Sequence, residues 1–156
     1  MPDSHVAVIG LGSNLNDPVQ QVRRAISALA SVGSVEAVSR LYRSRPWGNL
    51  TQPDFINAVV RMRTRLEPHA LLGALKALEA TLGRVPSERW GPRSIDLDIL
   101  TYDALEFVDA ELCLPHPHLF KRAFALVPLA EIDASYALAV AALDPAERDG
   151  LTLIET

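Results

Sequence analysis

The chain has 156 residues, is 49% hydrophobic and 22% charged, and carries a net charge of −4 from 15 basic and 19 acidic side chains. That size and composition describe one folded domain, residues 1–156, whose core needs neither a metal nor a disulfide to be stable. The acidic balance argues against coating nucleic acid, the single cysteine Cys113 excludes an intrachain disulfide and a cysteine-built zinc cage, and no apolar run approaches the roughly 20 residues of a bilayer span.

Residues 1–5 lack the basic start and apolar run of a signal peptide, so a cytoplasmic location is expected. Residues 5–9 read as a short strand entering a turn at Gly10-Leu11-Gly12-Ser13-Asn14. Asp17-Pro18 is a helix cap followed by proline at the first helical position. Val19, Val22, Ile26 and Leu29 continue at helical spacing, and Gly33 ends that helix. A second strand is predicted over 35–43 and a turn-rich loop over 46–53. From 55 to 64 the residues alternate: Ile56, Ala58, Val60 and Met62 face one way, Phe55, Asn57, Val59 and Arg61 the other. Glu67-Pro68 opens a second helix whose stripe is Leu71, Leu75, Leu78 and Leu82, closed by Gly83. A polar loop over 84–94, a strand over 95–102 and a helix over 120–132 complete the pattern. The order β-α-β-β-α-β-α predicts an α+β fold. It is a ferredoxin-like β-α-β-β-α-β core with an extra C-terminal helix, in three layers α/β/α.

Charge is distributed unevenly. Residues 40–93 hold ten basic and four acidic side chains, while 94–156 hold three basic and twelve acidic. Thirteen of the cations are arginine, the side chain that forks best onto phosphate oxygens. Immediately after this arginine-rich stretch comes Ser94-Ile95-Asp96-Leu97-Asp98-Ile99-Leu100. At strand period Asp96 and Asp98 share one face, where they repel unless something positive lies between them. An isolated Asp-x-Asp is usually a solvated strand edge. Beside Arg89-Trp90-Gly91-Pro92-Arg93, magnesium holding a phosphorylated ligand is the better reading.

Other candidates are less sharp. Glu79 borders the apolar stripe of its helix, equally suited to a ribose, to orienting a basic residue, or to a half-exposed flank. His116 and His118 lack the further ligands that zinc requires, and His116 with Arg122 fits a phosphate site better. Phe55 and Phe124 read as core or as the two plates of a ring site. Asn57, on the face of Phe55, favours the second.

The run from Arg89 to Leu100 closely resembles the signature of the 6-hydroxymethyl-7,8-dihydropterin pyrophosphokinase family of folate biosynthesis. Gly10-Leu11-Gly12-Ser13-Asn14-Leu15, Tyr42-Arg43-Ser44, Asp54-Phe55-Ile56-Asn57-Ala58, Pro115-His116-Pro117 and Arg122-Ala123-Phe124 agree in order, so the resemblance spans about 6–131. It implies pyrophosphate transfer from ATP to the hydroxymethyl group of the reduced pterin, with release of AMP. By position it implies two Mg2+ ions on Asp96 and Asp98, with Arg84 and Arg93 joining them in catalysis. ATP would meet Glu79, Arg84, Arg93, Ile99, Leu112, His116 and Arg122. The pterin would meet Ser44, Phe55, Asn57, Trp90, Asp96 and Phe124, with Trp90 on a lid over 84–92. The partners expected are these small molecules alone, on a monomer with no nucleic acid and no membrane. A regulatory ligand-binding module and a Mg-dependent nucleotidyltransferase are the rival readings.

Overall fold

The computed structural model describes residues 4–15, 17–45, 52–82 and 95–154. Its first elements are β1 (His5–Ser13), α1 (Pro18–Ala28), β2 (Ser34–Val38), β3 (Tyr42–Ser44), β4 (Phe55–Thr64) and α2 (Pro68–Leu82). Then follow β5 (Asp96–Tyr102), the short pair β6 (Phe107–Val108) and β7 (Cys113–Leu114), and α3 (Ala123–Ile132). The tail holds α4 (Ala137–Ala141), α5 (Pro145–Asp149) and β8 (Leu151–Leu153). No helix among the described residues is long and apolar enough to cross a membrane.

The main sheet is antiparallel in the order β5-β1-β4-β3-β8, with β2 also paired to β4. The expected ferredoxin-like arrangement is therefore present, with β1 between β4 and β5. Alternation along β4 divides the core as its sequence predicts. Ile56, Ala58, Val60 and Met62 join the cluster under α1 and α2, which also holds Val22, Leu71 and Leu75. Val59 faces the other way, into the cluster that Leu126 and Leu129 of α3 complete. Two helices on one face and α3 on the other make the three layers.

Local chemistry sets the element ends. Asp17 accepts the N–H of Gln20 at 3.4 Å, and Pro18 stands at the first position of α1. Gly33 follows because a Cβ there would lie 2.2 Å from the carbonyl oxygen of Arg63.

Two expectations are corrected. The strand predicted over 35–43 is two strands, because Ser39 bends the chain. Its Oγ donates to the carbonyl of Arg40 at 2.8 Å and accepts the N–H of Val59 at 2.9 Å. The turn predicted at Gly10 is instead a continuation of β1 to Ser13, laddered to β4 and β5 on both sides. The strand expected over 95–102 is present as β5 and carries a bulge, where Val8 opposes Thr101 but Ile9 opposes Ile99, so Leu100 is an extra residue. Leu100 faces α3 on the side of Asp96 and Asp98, and the bulge returns Tyr102 to the α1 and α2 side.

Candidate active site

A cavity of about 310 Å³ opens on the α3 face of the sheet, over the middle of β1. Its floor is Gly10 and Gly12, which stand opposite Asp98 and Asp96 on one side and Val59 and Asn57 on the other. Glycine at both positions keeps that space open, since a Cβ would crowd the neighbouring side chains. A Cβ on Gly12 would come within 3.3 Å of Asn57 Oδ1, and one on Gly10 within 3.3 Å of Leu100.

The acidic wall belongs to β5. Asp96 and Asp98 lie on the same face of the strand and both line the cavity, while Leu97 between them is fully buried beneath α2. Asp98 is exposed, and Asp96 is half-buried.

The opposite wall comes from β3 and β4. Ser44, Phe55 and Asn57 line it, with Asn57 buried beside Ser44. Asn14, at the end of β1, donates Nδ2 to Gln52 Oε1 at 3.1 Å and to the carbonyl of Pro53 at 3.3 Å. Those bonds hold the chain that enters β4 just before Phe55.

The third wall precedes and begins α3, and His116, Arg122 and Phe124 line it. The backbone N–H of His116 donates to the carbonyl of Leu100 at 2.9 Å, tying this segment to the bulge of β5. The N–H of His118 donates to Nδ1 of His116 at 3.3 Å, so a neutral ring carries its proton on Nε2. Burial pushes the His116 imidazole below its ordinary 6.5, outweighing the pull of Asp98, and His118 and Arg122 push the same way. His116 is thus a neutral donor at pH 7. The guanidinium of Arg122 lies over the Phe124 ring, 5.5 Å from its centroid.

Of the residues singled out in the sequence, the fold brings Ser44, Phe55, Asn57, Asp96, Asp98, His116, Arg122 and Phe124 to this one cavity. Ile99 and Leu112 do not line it; both are buried in the cluster under α1 and α2. Glu79 also stands away from it, accepting the N–H of Leu97 at 2.7 Å. Arg84, Trp90 and Arg93, with the expected lid over 84–92, lie outside the described residues. Sequence reasoning missed the glycine floor and the lining residues Arg45 and Gln52, and it gave no role to His118, which also lines the cavity. The period-two spacing of Gly10 and Gly12 was the available sign, since glycines alternating in a strand mark a close approach to its surface.

Residues 8–134 match the family model of 7,8-dihydro-6-hydroxymethylpterin-pyrophosphokinase, HPPK. The chain belongs to the HPPK family. A relative from Methylorubrum extorquens, 2-amino-4-hydroxy-6-hydroxymethyldihydropteridine pyrophosphokinase, is 43% identical over 148 residues, 89% of this chain and 94% of its own. One of the same name from Synechocystis is 42% identical over 153 residues, covering 97% of this chain and 74% of its own. Among solved structures, wild-type Plasmodium falciparum HPPK-DHPS with pteroate aligns over 81% of this chain at a TM-score of 0.64 and 14% identity. That likeness concerns the fold, and this chain spans 38% of that longer one.

The HPPK match stops before α4, α5 and β8, yet β8 and α5 buttress the site. Strand β8 pairs with β3, placing Leu151 opposite Ser44. From α5, Glu147 Oε1 accepts the N–H of Ala123 at 3.2 Å, capping the start of α3 between Arg122 and Phe124.

Proposed function

We propose that this chain is the Mg2+-dependent transferase that moves pyrophosphate from ATP to the hydroxymethyl group of 6-hydroxymethyl-7,8-dihydropterin in folate biosynthesis. The proposal includes a cytoplasmic monomer acting on these two small molecules. One observation carries it: in an HPPK-family chain, a single cavity joins the paired carboxylates Asp96 and Asp98 to the aromatic and amide wall of Phe55, Asn57 and Phe124.

The donor set suits magnesium. Two carboxylates share one face of a strand, and among the described residues no cluster of three or more His, Cys, Asp or Glu forms a closed cage. Magnesium takes oxygen ligands and keeps waters and phosphate oxygens in its shell, so such a half-open site is what it requires. Asp96 and Asp98 would hold two ions. Bound there, the metal supplies neutralisation of the phosphate charge that shifts during transfer.

The remaining work falls to positioning. Phe55 and Phe124 stack on the faces of the pterin, and Trp90 is the further pterin contact that the family resemblance implies. Asn57 and Ser44 hydrogen-bond the edge of the ring, and Asp96 lies beside its hydroxymethyl group. Arg84, Arg93, His116 and Arg122 grip the triphosphate, with His116 donating through Nε2. The hydroxymethyl oxygen gives up its proton to solvent and forms a bond to the β-phosphorus as the bond from that phosphorus to the α–β bridging oxygen breaks. AMP departs with the bridging oxygen, and no protein side chain acts as a nucleophile. Alignment and charge neutralisation suffice for such a transfer.

The test incubates the protein with ATP, 6-hydroxymethyl-7,8-dihydropterin and magnesium, and separates the products. Equal amounts of AMP and pterin diphosphate are expected, neither appearing when the pterin or the metal is omitted. ADP in place of AMP would refute the proposal.

A further inference from the structure

Among the described residues strand β5 is an edge of the sheet, paired with β1 on one side. In an antiparallel strand successive N–H groups point to alternate edges. The residue between the two aspartates, Leu97, turns its N–H to the open edge, where an amide would ordinarily be left to water. Here it donates to Glu79 Oε2 at 2.7 Å, across from α2. The other oxygen of Glu79 lies 3.2 Å from Lys76 Nζ, and the Glu79 side chain is only 12% exposed. A carboxylate placed this way makes a charge-assisted bond to the backbone, stronger than a neutral one.

We propose that Glu79 is a positioning residue for the metal-binding carboxylates, fixing through Leu97 the backbone from which Asp96 and Asp98 project. The need for such a brace follows from the strand itself. Two like charges on one face push each other apart, and an edge strand has one ladder rather than two to resist them. Leu97 anchors the strand by its side chain under α2, and Glu79 anchors the same residue by its amide. This role differs from the nucleotide contact that the family resemblance implies for Glu79. It rests on the assignment of Asp96 and Asp98 made above.

The test uses Glu79→Ala, Glu79→Asp and Glu79→Gln, the last keeping an acceptor oxygen at the same reach. Amide hydrogen exchange of Leu97 is followed by NMR in the ligand-free protein. Mn2+ affinity is then measured by electron paramagnetic resonance with α,β-methylene-ATP present. Loss of the bond in Glu79→Ala and Glu79→Asp should speed Leu97 exchange and weaken Mn2+ binding, each by about tenfold, while Glu79→Gln, with a neutral acceptor at the same reach, should fall between these variants and the parent. Metal-free affinity for the nucleotide analogue should be unchanged in all three. Unchanged Leu97 exchange, or Mn2+ affinity that survives Glu79→Ala and Glu79→Asp, would overturn the proposal and leave the aspartate assignment standing. So would an equal loss of metal-free nucleotide affinity in the variants, which would make Glu79 a nucleotide ligand. Failure of the parent protein to bind Mn2+ with the nucleotide would remove the aspartate assignment and this inference with it.

Discussion

Asn57 donates its Nδ2 to Ser44 Oγ at 2.8 Å, across the antiparallel pair of β4 and β3. Both residues are buried, with exposures of 4% and 8%, and both line the cavity. The bond sets the orientation of the amide, leaving Oδ1 on the side of Gly12. A buried amide oxygen and a serine hydroxyl side by side offer an acceptor and a donor to one edge of a flat heterocycle.

Asn57→Ala should therefore weaken pterin binding by about 1–3 kcal/mol, because a buried polar partner is left unmatched. Titration calorimetry should show ATP affinity nearly unchanged. Equal losses for both ligands would mean that Asn57 only supports the sheet.

Asp96→Ala and Asp98→Ala should each leave a folded protein that turns over far more slowly, at least about a hundredfold, having lost a ligand to the metal. Leu97→Ala should do the opposite. That side chain is fully buried, so its truncation should cost about 2–5 kcal/mol of stability. Urea unfolding and initial rates on the three variants separate the two effects. Full activity in both aspartate variants would contradict the metal assignment.

Phe124→Ala should cost roughly 1–3 kcal/mol of pterin affinity through the lost stacking face, and much less for ATP. Since the Arg122 guanidinium lies over the same ring, a modest loss for ATP is also expected. Competition binding with each ligand reads the difference.

The pair of Tyr42 and Glu131 predicts a dependence on pH at both extremes. Burial first, and then the hydrogen bond to Glu131, pushes the Tyr42 hydroxyl up to about 12. Its folded value lies above the unfolded 10.0, so its stabilising contribution is complete below that pH and is lost as pH rises toward 12. Burial pushes Glu131 upward, but the Tyr42 hydroxyl and the backbone and side chain of Arg40 outweigh it and leave the carboxyl below 4.5. That contribution is present above 4.5 and fades as the solution is acidified. Tyr42→Phe should show a flatter loss of stability above pH 10 than the parent, and Glu131→Gln a flatter loss below pH 4.5, both read from urea midpoints.

Where one periodicity and one burial requirement coincided, the sequence was readable. The alternation of β4, the leucine stripe of α2 and the same-face pair in β5 each follow from hydrophobic spacing alone. The missed features depend on contacts distant in the chain. The break at Ser39 comes from hydrogen bonds to Val59 and Arg40, and the bulge at Leu100 from register with β1. Strand β8 is three residues long and forms only because β3 offers it an edge. The site followed the same rule. Charged and aromatic candidates could be picked out by type, whereas the glycine floor and the bond from Leu97 to Glu79 arise from packing one element against another.

The central claim is that pyrophosphate moves as a unit from ATP to the pterin. Parallel reactions with ATP labelled with phosphorus-32 at the α, β or γ position, with pterin and magnesium, follow each phosphorus to its product. The account predicts that β and γ labels both appear on the pterin while the α label stays in AMP. A γ label alone on the pterin, or an α label attached to it, would contradict the account and point to simple phosphoryl or nucleotidyl transfer.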